Sequence, residues 1–156
     1  ALAEALEATA ADLAARKVAL VHGDVSPKNI LVAADGPVFL DAECAVFGDP
    51  AFDLAFCVTH LLLKTVWLDD ERVRQAALAL VEAYCAGVVW EDPAGLAERA
   101  GRLTAALLLA RIEGKSPAGY LTAPDHIAAV RDQARALVAA PRPVGALVAD
   151  WKRTAS

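Results

Sequence analysis

The sequence contains no methionine, only three cysteines and few aromatic residues, and nowhere does it gather lysine and arginine into a cluster. Aromatic side chains make up 6% of the chain, whereas hydrophobic residues of all kinds make up 57%. That balance, rich in alanine and leucine, suits packed helices with small residues between them better than a sandwich of many strands, and it argues against disorder. The missing basic cluster, together with a net charge of −5, argues against nucleic acid as a partner, because phosphate backbones are gripped by basic surfaces. An acidic balance is compatible with a cationic small molecule. Cys44, Cys57 and Cys85 lack metal-ligand spacing and have apolar neighbours, so they read as buried free thiols of a reducing compartment. The longest apolar run, Leu54 to Leu68, is interrupted by His60 and Lys64 and falls short of the roughly 20 residues a membrane-spanning helix needs. No membrane partner is expected, and with no visible secretory signal the expected location is the cytoplasm.

What is present fits one domain over residues 1–156, a length that can bury roughly 70% of its unfolded surface. Leu2, Leu6, Ala10, Leu13 and Ala14 recur at helical spacing and predict a helix over 1–16. Because that pattern is already running at the first residue, the chain reads as a piece of a longer protein. The period then shortens: Val18–Val21, Ile30–Ala33 and Val38–Leu40 read as three short strands, with turn residues from Ala34 to Pro37 between the last two. Helical signals return at Gly48-Asp49-Pro50 through about Thr65, at Asp69-Asp70-Glu71 through Ala86, at Asp92-Pro93 through Ile112 and at Ala123-Pro124-Asp125 through Ala139, where Pro141-Arg142-Pro143 stops the pattern. The fold class is therefore α+β and predominantly helical, with a small β-hairpin carrying an acidic loop.

That loop is the chemically informative part. It runs His22-Gly23-Asp24-Val25-Ser26-Pro27-Lys28-Asn29, and a second acidic element, Asp41-Ala42-Glu43, follows beyond the hairpin. Phosphoryl transfer needs positioning, a divalent cation to offset developing charge, and a carboxylate to orient or deprotonate the attacking hydroxyl. Asp24 suits the last task. The Asn29 amide oxygen and the Asp41 carboxylate are the hard oxygen donors that Mg²⁺ prefers.

In these residues, and in Gly48-Asp49-Pro50-Ala51-Phe52-Asp53-Leu54-Ala55, the chain resembles the aminoglycoside phosphotransferase and choline kinase family of small-molecule kinases. The resemblance spans about Ala1 to Trp151 and implies the C-terminal lobe of a protein-kinase-like fold. It makes Asp24 the catalytic base, Asn29 and Asp41 the metal ligands, and Asp53 a buried aspartate that supports the loop. Gly23 stands where protein kinases carry arginine, which points away from protein substrates. Nothing resembles the glycine-rich loop or strand lysine that hold the phosphates of ATP; in that family they belong to an N-terminal lobe, which this chain would need as its partner.

Each residue also has a plainer reading. His22 braces the loop by hydrogen bonding in preference to taking a proton, since Asp24 already fills that role. Ser26 and Lys28 could approach the nucleotide or the transferred phosphate, or be ordinary loop residues. Glu43 could hold a second metal or face water. Asp49 reads as a helix cap before a substrate contact, and Asp53 as a satisfied buried carboxylate. Arg111, Glu113, Lys115 and Ser116 cluster where the resembling family builds acceptor sites, but an ordinary interhelix turn is the favoured reading. His60 and His126 lack ligand spacing, and Trp67, Trp90 and Trp151 read as packing anchors. The function expected is an ATP- and Mg²⁺-dependent kinase acting on a hydroxyl of a small polar molecule. The alternatives are a catalytically silent kinase-like binding module and, further behind, a metal-dependent hydrolase, for which no additional ligand cluster is visible.

Overall fold

The computed structural model describes residues 2–153; Ala1, at the start of the first expected helix, lies outside them. The chain forms α1 (Leu2–Ala15), β1 (Ala19–Val21), β2 (Ile30–Ala33), β3 (Gly36–Phe39), β4 (Val46–Gly48), α2 (Ala51–Leu68), α3 (Glu71–Ala86), α4 (Pro93–Glu113), α5 (Pro124–Ala139) and α6 (Val144–Ala149). Single 3₁₀ turns occupy Pro27–Asn29 and Ala42–Cys44.

The helices begin where their caps demand. The Asp70 carboxylate accepts from Arg72 N–H at 2.9 Å to start α3, and Asp92 accepts from Ala94 and Gly95 at 3.2 and 3.1 Å to start α4, with Pro93 in the first turn. The core is almost wholly helical. α2 packs against α3 and α4, and α4 in turn against α5 and α6. Leu54, Leu62 and Leu63 of α2 meet Leu96 and Leu108 of α4, Val130 of α5 and Leu147 of α6 in one apolar cluster, each such side chain contributing roughly 1.5–3 kcal/mol of burial. Among the described residues α2 is the only helix long and apolar enough to cross a membrane, and most of it is buried inside this fold.

Two elements carry no usable sequence signal. β4, only three residues long, pairs antiparallel with β1, with Leu20 opposite Phe47. α6 follows the proline pair and buries Val144, Leu147 and Val148. It can approach because Gly101 of α4 has no side chain: a Cβ there would lie 1.9 Å from the Arg142 carbonyl oxygen.

The β2–β3 hairpin turns on Ala34 and Asp35 alone, and Gly36 and Pro37 belong to β3, whose strand ends at Phe39 and not at Leu40. A two-stranded ribbon leaves one side of each strand unpaired, so proline is tolerated there. Other expectations are corrected by exposure. Cys57 is buried, but Cys44 is exposed and Cys85 only partly covered. Trp151 is a true anchor, its indole N–H donating to the Leu62 carbonyl at 3.2 Å; Trp67 and Trp90 stand 42% and 53% exposed. The strands themselves bury only Val21, leaving Leu20, Val32, Phe39 and Phe47 among the exposed apolar side chains.

Candidate active site

β1 delivers the chain to His22-Gly23-Asp24, and the turn that follows depends on glycine for two reasons. Gly23 has φ +83, and a Cβ on it would sit 2.6 Å from the carbonyl oxygen of Cys44. The loop is held from below by Asp53, in the first turn of α2: its two carboxylate oxygens accept from the backbone N–H groups of His22 at 2.7 Å and Gly23 at 2.9 Å. A charged acceptor shared by two main-chain donors is among the stronger ways to pin a loop. Asp53 is half-buried and its charge is satisfied by these bonds.

Within the loop, the Asp24 N–H donates to His22 Nδ1 at 3.3 Å. This assigns the proton of a neutral imidazole to Nε2, which is buried without an acceptor among the described residues. The Ser26 N–H donates to the Asp24 carbonyl, and the Asn29 N–H to the Ser26 carbonyl, both at 2.9 Å. Ser26 is itself buried, and its hydroxyl has no partner among the described residues. The Asn29 side-chain nitrogen donates to the Asp24 carbonyl at 2.9 Å and to the Asp24 carboxylate at 2.8 Å. The Lys28 ammonium stands 3.6 Å from the same carboxylate oxygen.

The hairpin then brings the second acidic element back. The Leu40 N–H donates to the Asn29 carbonyl at 2.8 Å, extending the register in which Ile30 faces Phe39. Asp41 is the next residue, so it emerges beside the Lys28–Asn29 corner. It adopts a left-handed conformation, φ 64 and ψ 51, and its carboxylate does not cap the 3₁₀ turn it precedes. For a residue with a Cβ, such a conformation is uncommon and typically costs on the order of 1–2 kcal/mol. Glu43, inside that turn, is exposed.

The donor set fits a hard cation. The Asn29 nitrogen is committed to Asp24, which leaves its Oδ1 free, and among the described residues no donor or cation engages the Asp41 carboxylate. One amide oxygen and one carboxylate are the share of ligands that Mg²⁺ accepts from a protein, the remainder coming from phosphate and water. Three or more His, Cys, Asp or Glu side chains do not converge on any point among the described residues.

Asp49 is more deeply engaged than a cap. It is buried; one oxygen accepts from Ala51 N–H at 3.0 Å, and Arg99 of α4 clamps both oxygens at 2.8 and 3.2 Å. Glu91 joins this group, bonding Arg99 at 2.7 Å and Arg16 at 2.9 Å. The network ties the end of α1 and the start of α2 to α4. No sequence spacing announces it, because Asp49 and Arg99 lie 50 positions apart.

A second group was also invisible in the sequence. From Phe56, α2 carries His60, buried, whose ring meets the Phe56 ring edge-on at 5.0 Å and whose Nδ1 lies 3.3 Å from the Tyr120 hydroxyl. Burial pushes the His60 pKa down to about 4, with the Arg111 cation adding to the effect and the Asp24 carboxylate opposing it. Of the expected Arg111–Ser116 cluster, Arg111 donates to the Ser116 hydroxyl at 3.1 Å, while Glu113 turns away to pair with Arg131 and Arg135 of α5.

A model of the phosphotransferase enzyme family matches residues 1–99, the span from α1 into α4 that contains the loop, the hairpin and the Asp53 support. No curated protein matches the chain.

Proposed function

The chain belongs to the phosphotransferase enzyme family, and on that premise we propose that it is the C-terminal lobe of an ATP-dependent kinase acting on a hydroxyl group of a small polar molecule. The observation that carries this reading is the Asp24 carboxylate, oriented by the Asn29 amide at 2.8 Å on a loop pinned by Asp53. A carboxylate so held orients an acceptor hydroxyl and takes its proton as the oxygen bonds to the γ-phosphorus of ATP; the bond to the β-phosphate oxygen breaks, and ADP leaves.

Asn29 Oδ1 and Asp41 would hold Mg²⁺, which neutralises charge on the phosphate oxygens. Lys28, 3.6 Å from Asp24, would approach the transferred group, with Ser26 in the turn between them. His22 and Asp53 act on the loop, not on the reactants. Glu43 has no assigned partner in this scheme.

The remaining phosphate contacts would come from an N-terminal lobe. The exposed apolar side chains of the strands, Leu20, Val32, Phe39 and Phe47, support such a covering, since another body could bury them.

The test is Asp24→Asn in the full-length protein, with ADP release followed against a panel of hydroxylated acceptors. Turnover is expected to fall by about 10²–10⁴-fold, the range of a positioned base, while ATP binding by calorimetry is retained. Parent protein that binds ATP but turns over no acceptor would favour a silent binding module. A variant within a few-fold of the parent would remove Asp24 from the mechanism.

A further inference from the structure

Among the described residues, one arginine has no carboxylate within 4.0 Å. Arg16, Arg72, Arg74, Arg99, Arg102, Arg131, Arg135, Arg142 and Arg153 each lie within 4.0 Å of a carboxylate. Arg111 does not. Its Nη1 donates to the Ser116 hydroxyl, and its Nε is buried with no acceptor among the described residues. In a chain with 20 acidic and 15 basic residues, an unpaired guanidinium is not a shortage of carboxylates. A buried donor left unmatched costs about 1–3 kcal/mol, which a place in the last turn of α4 does not require.

Lys64 repeats the pattern nearby. Its ammonium is held over two rings, 5.2 Å from the Trp67 centroid and 4.8 Å from that of Tyr120, and no carboxylate pairs with it among the described residues. Aromatic faces attract a cation without neutralising it. The two rings lie 5.0 Å apart, and Tyr120 reaches back to His60. Asp24, Lys28, Lys64 and Arg111 all bear electrostatically on His60, so these charged groups gather around one buried ring. Three are cations, and α2 packs directly on the Pro27–Asn29 turn. The charged groups that bear on His60 are thus three cations to one carboxylate, in a protein that is acidic as a whole.

We propose that Lys64, Trp67, Arg111 and Tyr120 form the acceptor-binding wall and select a small hydroxylated molecule that carries a carboxylate or comparable anionic group on an apolar or planar frame. The inference rests on Asp24 being the group that meets the acceptor hydroxyl. A guanidinium fork grips a carboxylate with two parallel donors, Nε being one of the two. Lys64 adds a second positive charge, and the rings of Trp67 and Tyr120 offer flat apolar area to the frame between anion and hydroxyl. The expected acceptor charge is opposite to the one the acidic composition of the chain suggests.

The experiment compares para-(hydroxymethyl)benzoate with para-(hydroxymethyl)benzylamine, which differ at neutral pH in the sign of one group. Each is titrated into the full-length protein without nucleotide, by calorimetry and tryptophan fluorescence. The benzoate is expected to bind at least roughly tenfold more tightly. Lys64→Gln and Arg111→Gln should each remove most of that preference while keeping a cooperative thermal transition, and Lys64→Arg and Arg111→Lys should restore part of it. Equal or tighter binding of the amine, no measurable binding of the benzoate, or folded Gln variants that bind the benzoate as the parent does would each overturn the proposal. Transfer of phosphate from ATP is a separate measurement: turnover confined to cationic acceptors would overturn this inference and leave the kinase reading standing. Benzoate binding in a protein that transfers phosphate to nothing would sink the kinase reading alone.

Discussion

The side-chain amide of Asn29 donates twice to Asp24, at 2.9 Å to its carbonyl oxygen and at 2.8 Å to its carboxylate. One contact closes the loop and the other aims the side chain, so a single residue couples the shape of the turn to the direction of the carboxylate. The same two bonds decide which way the Asn29 amide is flipped and leave Oδ1 for a cation. Asn29→Ala is therefore expected to cost on the order of 1–2 kcal/mol of stability, seen as a melting temperature lower by about 2–8 °C in a domain of this size. It should also lower turnover more than that loss of stability explains, when the two are measured on the same preparation.

Asp41→Gly separates stability from function. Glycine adopts the left-handed conformation of Asp41 without steric cost, so the variant should gain about 0.5–1 kcal/mol in urea unfolding, once the entropy of the unfolded glycine is set against the relieved strain. Its Mg²⁺-dependent ATP binding should weaken, because a charged donor is lost. A magnesium titration superimposable on that of the parent would remove Asp41 from the metal.

Gly23→Ala is expected to act in the opposite sense. It places a Cβ 2.6 Å from the Cys44 carbonyl oxygen at φ +83, and the Gly23 backbone is held in place by the bonds from His22 and Gly23 to Asp53. A loss of at least roughly 1–3 kcal/mol in chemical denaturation is the expected result. Faster hydrogen exchange at His22 and Gly23 would locate it.

Asp49 and Arg99 should behave as a coupled pair. Asp49→Ala removes two of the three carboxylate bonds to the partly buried Arg99 guanidinium, leaving Glu91 as its partner, and should destabilise by about 1–3 kcal/mol. Arg99→Met in the same background should recover part of it. A double-mutant cycle in urea measures the coupling, and additive losses would show that the pair acts independently.

His60 makes stability depend on pH. Its pKa is pushed down to about 4 in the fold, against an ordinary value near 6.5 in an unfolded chain. Between those values the unfolded chain binds the proton and the native one does not. The contribution is thus fully present above about pH 6.5 and is lost as pH falls toward 4, by up to about 3 kcal/mol. Unfolding free energies at the two ends of that window, for the parent and His60→Gln, should show a slope in the first that is reduced in the second.

Local signals determined much of this protein. The helices α1 to α5 were legible because apolar spacing, the Asp70 and Asp92 caps and the prolines act within a few residues of one another. The loop residues Asp24 and Asn29 were legible for the same reason, since their bond spans five positions. What the tertiary structure alone decided lies across long separations or in packing. β4 is three residues paired with β1, and α6 packs where it does because Gly101 lets the chain at Arg142 come against α4. The exposures of Cys44, Trp67 and Trp90 depend on what happens to cover them. The Asp49–Arg99 clamp and the contact of His60 with Tyr120 join positions 50 and 60 apart. Sequence periodicity reports which face of an element is apolar. It carries no information on which distant charge or ring will be brought against that element, because the shared core alone sets that distance.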